Sequence, residues 1–285
     1  MLQSAPLAQP IRSFSSEKSP NCRSQSPSSK PPFHFLRFRT SYRDNLRYLN
    51  SIGIINSDKK IHRNPSPETL LHILSTVNFL KSKGFSESHF ARLAYLTPQV
   101  FSPQVNPADL QPVFDFLTTE LAASEEESRD LILLCPHILQ SNVQFCLRPT
   151  LLYLRDIGVE SLNKPTNLNA HLLNTRVKRL EDTAKFLLDI GFSQEEATKF
   201  CGRLPAIFGY SIDNNLLPKF EYLVGEMERS LDELKGFPQY FAFSLEKRIK
   251  PRHLHLKRRN VVVKEVPLKK MLMWNDKKFY AKWNW

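Results

Sequence analysis

The strongest constraint on this chain is an internal repeat built around proline. Four strings share the form Pro-x-apolar-apolar: Pro98-Gln99-Val100-Phe101, Pro136-His137-Ile138-Leu139, Pro205-Ala206-Ile207-Phe208 and Pro238-Gln239-Tyr240-Phe241. The steps between them are 38, 69 and 33 residues. The long step is about two periods, and Ala170-His171-Leu172-Leu173 stands where the missing copy belongs, with the apolar pair but no proline. A second proline follows at a near-constant offset: Pro149, Pro218 and Pro251 lie 13 residues on, and Pro112 lies 14 on. Thr183 takes that place in the copy without prolines. An aromatic-or-apolar–Leu signature comes next, at Phe116-Leu117, Tyr153-Leu154, Phe186-Leu187, Tyr222-Leu223 and His255-Leu256, with Phe79-Leu80 as an earlier sixth copy. A period of this length marks a stacked repeat, in which each unit buries its apolar face only against its neighbours.

Each part of the unit has a helical meaning. Leu180, Ala184, Leu187 and Ile190 recur on one helical face. Gly191 follows as a left-handed terminator with Phe192 as its apolar contact, and Gly84-Phe85 and Gly158-Val159 repeat the arrangement. Ser193-x-x-Glu196 and Ser124-x-x-Glu127 read as capping boxes that open the second helix. That helix stops before Pro205, a short turn follows, and Pro149 and Pro218 suit the first position of the next helix. One unit is therefore two helices and a short third element in about 34 residues. Repeats over 68–260 predict an all-α solenoid, with 46–67 as linker or N-terminal cap and 261–285 as a basic C-terminal cap helix and tail.

Charge is unevenly placed. The formal net charge is +12. Residues 1–43 hold seven Lys/Arg against one acid, residues 245–285 hold thirteen against three, and the stretch between holds twenty against twenty-four. The first 43 residues also carry ten Ser and six Pro with no apolar periodicity. That composition predicts an organelle transit segment over 1–45, and its abundant Ser with few early Arg points to a plastid ahead of a mitochondrion. No run of eighteen apolar residues occurs, so no membrane-spanning helix is expected. Eight Gly against twenty Pro disfavours glycine-rich phosphate loops, and the signatures G-x-x-x-x-G-K-[ST], G-x-G-x-x-G, H-E-x-x-H and G-x-S-x-G do not occur. Cys22, Cys135, Cys146 and Cys201 form no C-x-x-C pair. Neither catalysis, a metal nor a cofactor is expected.

The repeat resembles the mitochondrial transcription termination factor (mTERF) family. Pro136-His137-Ile138-Leu139, Pro149 with Tyr153-Leu154-Arg155-Asp156-Ile157-Gly158, and Phe186-Leu187-Leu188-Asp189-Ile190-Gly191-Phe192 carry the resemblance. The ending Met271-Leu272-Met273-Trp274-Asn275-Asp276-Lys277-Lys278-Phe279-Tyr280 is similar to the family's last helix. The chain departs from the pattern at Ala170 and Thr183, and at Leu117–Leu121, where no Gly closes the helix. The resemblance implies a basic groove that binds organelle DNA or RNA without catalysis, in transcription termination or, in plants, in transcript processing and splicing.

Phosphate binding calls for Lys or Arg at recurring positions. Arg148 and Lys250 precede a second proline, and Lys219 and Arg252 follow one. Arg176 and Arg179 lie in the equivalent stretch of the proline-free copy, Arg248 lies in the last copy, and Lys257 and Arg258 extend the stripe. These nine residues are the expected nucleic-acid contacts of a monomer, with other organelle gene-expression proteins as further partners. The competing expectation is a protein-binding α-solenoid scaffold, whose groove would carry exposed apolar or acidic residues.

Overall fold

The computed structural model describes residues 41–55 and 65–283. The expected leader lies outside them except for its last five positions, and Tyr42–Asn45 already belong to the first helix. Cys22 also lies outside them.

Fourteen α-helices and no strands occur among the described residues. In chain order they are α1 Tyr42–Ser51, α2 Pro67–Ser82, α3 Glu87–Leu96, α4 Gln111–Asp115, α5 Glu125–Leu134, α6 Arg148–Asp156 and α7 Asn167–Leu173. Then come α8 Val177–Asp189, α9 Gln194–Arg203, α10 Leu217–Glu221, α11 Leu231–Gly236, α12 Lys250–Arg258, α13 Leu268–Met273 and α14 Asp276–Lys282. The fold is the all-α helical repeat that the period requires.

The first proline of each copy does two jobs. The residue before it (Thr97, Cys135, Leu204 or Phe237) sits at φ near −135° with positive ψ, outside the helical region. Proline forces that exclusion, so the second helix ends there. Each proline then opens a 3₁₀ turn, over Pro98–Phe101, Pro136–Gln140, Pro205–Gly209 and Pro238–Ala242. The apolar pair of every turn is buried. In the copy without proline, the amide of Ala170 donates to the Thr166 carbonyl at 3.0 Å, and the segment stays α-helical as α7. Leu172 and Leu173 are still buried, so packing survives the change of backbone.

The second prolines do not stand at helix starts, which corrects the sequence-based expectation. Helices α6, α10 and α12 continue without a break from the π-turns Val143–Leu147, Ile212–Leu216 and Leu245–Ile249. Their caps are Asn142, Ser211 and Ser244, each seven residues before the proline, and each side chain accepts an amide from the first turn. A proline inside a helix lacks its N–H and presses its ring on the carbonyl four residues back. A wide turn just before it shifts that carbonyl and admits one extra residue. The count agrees: cap to aromatic or His spans eleven residues from Asn142 to Tyr153, Ser211 to Tyr222 and Ser244 to His255, but ten from Arg176 to Phe186. Helix α8, with Thr183 in place of proline, is regular throughout.

The helix ends follow the glycine logic. Gly84, Gly158 and Gly191 have φ of +84°, +80° and +105°. Behind them Phe85, Val159 and Phe192 donate to the carbonyls of Leu80, Leu154 and Leu187. Units without glycine place Ala122, Glu228 and Asn260 in the same left-handed conformation, at φ of 59°, 49° and 54°. Both expected capping boxes form: Glu127 N–H donates to Ser124 Oγ at 3.0 Å, and Glu196 N–H to Ser193 Oγ at 3.2 Å.

Stacking is fastened by the leucine of the aromatic–Leu signature. Leu80, Leu117, Leu154, Leu187, Leu223 and Leu256 are all 0% exposed, one per unit. Each contributes about 1.5–3 kcal/mol through removal from water. The predicted face of α8 is only partly right: Leu180, Thr183, Phe186 and Leu187 are buried, whereas Ala184 and Ile190 are half-buried. One continuous apolar cluster runs from Leu49 in α1 to Phe279 in α14, so α1 caps one end and α13–α14 cap the other. No described helix is long and apolar enough to cross a membrane.

Candidate nucleic-acid interface

The starts of the long helices open into a row of clefts. The first, about 770 Å³, lies where Gln140, Ser141 and Asn142 meet Gln144, Arg148 and Glu120. The second is bounded by Asn174, Thr175, Arg176, Arg179 and Gly209. The third takes in Tyr210, Asn214, Lys219, Ser244 and Glu246, and the fourth Glu246, Lys250, His255, Arg258 and Tyr280. Neighbours share walls. Ser141 hydrogen-bonds Asn174, joining the first two clefts; Gly209 and Tyr210 are consecutive; Glu246 lines both of the last two. Because the caps recur with the repeat, the clefts recur too.

The nine candidate cations separate into three groups. Arg176, Arg179, Lys257 and Arg258 are exposed, and none forms a salt bridge with a described residue. Arg176 is itself the cap position of α8, and Arg179 lies one turn on. Helix-start amides and these guanidinium groups together favour an anion.

Three further residues are half-buried and already engaged. Arg148 donates through Nε to Glu120 at 2.7 Å and also meets Gln144. That bond is the main reason the Glu120 carboxyl titrates below its usual range. Arg248 lies 3.8 Å from Asp276 and 5.4 Å from the Phe243 ring. Lys250 pairs with Glu246 and sits 5.7 Å from the Tyr222 ring. Asp276 and Glu246 are exposed and hold Arg248 and Lys250 weakly, so a phosphate competes for these two at low cost, whereas half-buried Glu120 grips Arg148 through two nitrogens.

Lys219 and Arg252 depart from the expectation. They are 5% and 1% exposed, and their charged groups point inward. Lys219 Nζ donates to the Phe241 carbonyl and to Asn215, both at 2.7 Å. Burial pushes its ammonium pKa down from the ordinary lysine value. Arg252 donates to the Met271 carbonyl at 2.6 Å and to Asp276 at 2.5 Å, with its guanidinium 4.6 Å over Phe279. Both follow a second proline, and so does Thr150, which donates to the Thr175 carbonyl at 2.7 Å. This position is a tie from one unit to the backbone of the next. It recurs because junctions recur, and its polar groups are already committed to the next unit. Thr150 carries no charge, and its place directly after Pro149 is the sequence signal that marks it as a tie.

Other buried or bridging cations serve the same end. Arg229 is 3% exposed and donates to the Val266 carbonyl at 2.6 Å. Arg203 reaches the Lys235 and Gly236 carbonyls at 3.0 and 2.9 Å. Among the described residues no group of three His, Cys, Asp or Glu is placed to hold a metal ion. Cys135, Cys146 and Cys201 are unbridged, and burial pushes the Cys201 thiol up to about 12.

Comparison with known proteins adds independent information. The mTERF family pattern matches residues 46–163 and 160–280. Transcription termination factor MTERF2, chloroplastic, of Arabidopsis thaliana is 34% identical over 101 residues, which is 35% of this chain and 15% of that protein. Transcription termination factor MTERF5, chloroplastic, of the same plant is 29% identical over 120 residues, 42% of this chain and 24% of that protein. Transcription termination factor MTEF18, mitochondrial, also of Arabidopsis thaliana, is 29% identical over 133 residues, 46% of this chain and 24% of that protein. The matched segments thus span a quarter or less of these relatives' lengths. With two adjoining matches that together run through most of the repeats, the chain belongs to the mTERF family.

Proposed function

We propose that this protein is an organelle nucleic-acid-binding factor that acts, without catalysis, in termination or regulation of transcription or in processing of organelle transcripts. The observation that carries the reading is the set of exposed cations along these clefts: Arg176 and Arg179 at the start of α8, midway through the repeats, and Lys257 and Arg258 in the last turn of α12. Arg248 and Lys250 extend the second group, and Arg148 flanks the first cleft. Lys219 and Arg252 are left out, for they hold the repeat together. Relatives named as chloroplastic and mitochondrial transcription termination factors support the organelle setting, and the chloroplast is our assignment. The ligand is organelle DNA or RNA, held chiefly by its phosphates.

The test is binding of the full chain to RNA and DNA across a salt series. Affinity should fall steeply with salt. The R176E/R179E/K257E/R258E variant should lose about three to four contacts' worth of the salt slope while keeping its helical content and melting temperature. A folded variant with unchanged affinity would point to the scaffold alternative. One observation favours that alternative: Leu152, Leu188, Val224 and Leu254 are exposed on the long helices.

A further inference from the structure

We propose that the first cleft is a docking groove for an arginine- or lysine-bearing segment of a partner protein and takes no nucleic acid. The inference goes beyond the reading above, because it gives one cleft of the row a different occupant. At about 770 Å³ this cleft is larger than the second, third and fourth, at about 480, 350 and 510 Å³. Its floor is apolar: half-buried Val105 and Val143 line it beside Leu110 and Phe116. Its rim is acidic. Asp109 and Asp115 line it and are exposed, and among the described residues neither forms a salt bridge. Asp109 accepts the Asn106 amide at 3.2 Å, and Asp115 accepts the Gln111 side chain at 2.6 Å. Both donors are neutral, so no cation offsets either carboxylate. The only Lys or Arg lining the cleft is Arg148, and Glu120 holds it through two nitrogens.

The same sign extends beyond the rim. Residues 65–147 hold four Lys/Arg against nine Asp/Glu, a net of −5, whereas residues 148–283 hold twenty-five against sixteen, a net of +9. The second cleft, joined to the first through Ser141 and Asn174, is lined by Arg176 and Arg179 and by no acid. Neighbouring clefts therefore call for opposite charges. A phosphate strand entering the first would meet two uncompensated carboxylates, and would gain its one cation only by breaking the Glu120 pair. A cationic side chain meets the reverse. The carboxylates take its guanidinium or ammonium group, and the apolar floor covers its methylene stem. Such complementarity selects the partner more than it adds raw affinity.

The experiment measures fluorescence anisotropy of a short labelled peptide of Arg, Leu and Ser against the full chain at about 0.1 M salt. The same peptide with Glu for Arg is the control. The chain's net charge of +12 repels the Arg peptide overall, so binding itself marks an acidic site. The Arg peptide should bind and the Glu peptide should not. D109N/D115N should weaken the Arg peptide by roughly ten-fold. Both side chains are exposed, so the fold survives, and an unchanged melting temperature checks this. E125Q/E126Q, at carboxylates outside the cleft, should leave peptide affinity unchanged. An equal loss from that variant, or none from D109N/D115N, overturns the inference. So does a roughly ten-fold gain of D109N/D115N on RNA or DNA, which would put nucleic acid in the cleft. Self-association of the full chain that D109N/D115N abolishes, read by sedimentation, would make the occupant a second copy and overturn the assignment to a partner. Peptide binding by a chain without affinity for RNA or DNA would sink the function proposed above and leave this inference standing. Nucleic-acid binding without peptide binding would sink this inference alone.

Discussion

The units built on Pro149, Pro218 and Pro251 and the unit built on α8 reach the same packing by different backbones. The first three begin with a wide π-turn and carry one extra residue between cap and aromatic or His. The α8 unit has Thr183 and a regular helix, with Thr183 Oγ1 turned back to the Arg179 carbonyl at 3.2 Å. Yet Leu154, Leu187, Leu223 and Leu256 are equally buried. Proline therefore shapes the turn, and leucine holds the stack. The regular unit is also the one with two exposed arginines at its start, whereas the cleft at the start of the Pro149 unit is lined by carboxylates.

The widest gap between the two kinds of unit should appear at the junction tie. R252A leaves the Met271 carbonyl unpaired and empties the space beside Phe279, and should cost about 3 kcal/mol in denaturant unfolding. R179A, on the exposed start of α8, should change stability by less than about 0.5 kcal/mol while weakening nucleic-acid binding. Similar losses from both would erase the distinction between tie and contact.

Next in size is the exchange of backbone types. T183P puts a proline into a helix with no wide turn before it, and should lower stability by about 3 kcal/mol. P149A, in a helix already shaped around its proline, should cost less than about 1 kcal/mol. If T183P were tolerated, α8 would have formed the π-turn on its own. Amide exchange at Glu181 and Asp182, the equivalents of the two positions that carry the shifted bonds ahead of Pro149, would show it.

A smaller effect separates glycine-closed from glycine-free helix ends. Ala122 is exposed and holds φ at 59° where three other units use glycine. A122G should stabilise by up to about 1 kcal/mol, and G191A, at φ +105°, should destabilise, both read as melting temperatures.

The smallest effect is the acid response of the C-terminal cap. The hydrogen bond from Arg252 holds the Asp276 carboxyl below its usual value of 3.8, ahead of the smaller pull of Arg248. A depressed carboxylate adds stability that is present above its unfolded pKa and lost as pH falls through the folded one. The wild type should therefore lose ground to D276N below about pH 3.8, in a pH series of melting curves.

Much of the architecture was legible because it depends on local chemistry repeated at a fixed period. Proline before an apolar pair ends a helix wherever it falls, glycine frees a left-handed turn, and Ser-x-x-Glu closes its own amides. The turn around the second proline was not legible. Pro149 read as a helix start because a helix start tolerates proline, while the actual cap, Asn142, is an ordinary polar residue seven positions back. The candidate interface was legible only in part. Arg179 and Arg252 look alike as recurring cations, and only the place of Arg252 directly after a second proline sets it apart in the chain.

The amino-acid sequence by itself determined the period, the helical class, the leucine face and the family, since each follows from residues close together in the chain. Only the tertiary structure decided which cations are outward and which are buried, and which cleft offers carboxylates where the next offers arginines. The reason is that a side chain's exposure depends on what the next unit brings against it. For Lys219 and Arg252 that is a backbone carbonyl from the following unit, at Phe241 and Met271, some twenty residues further along.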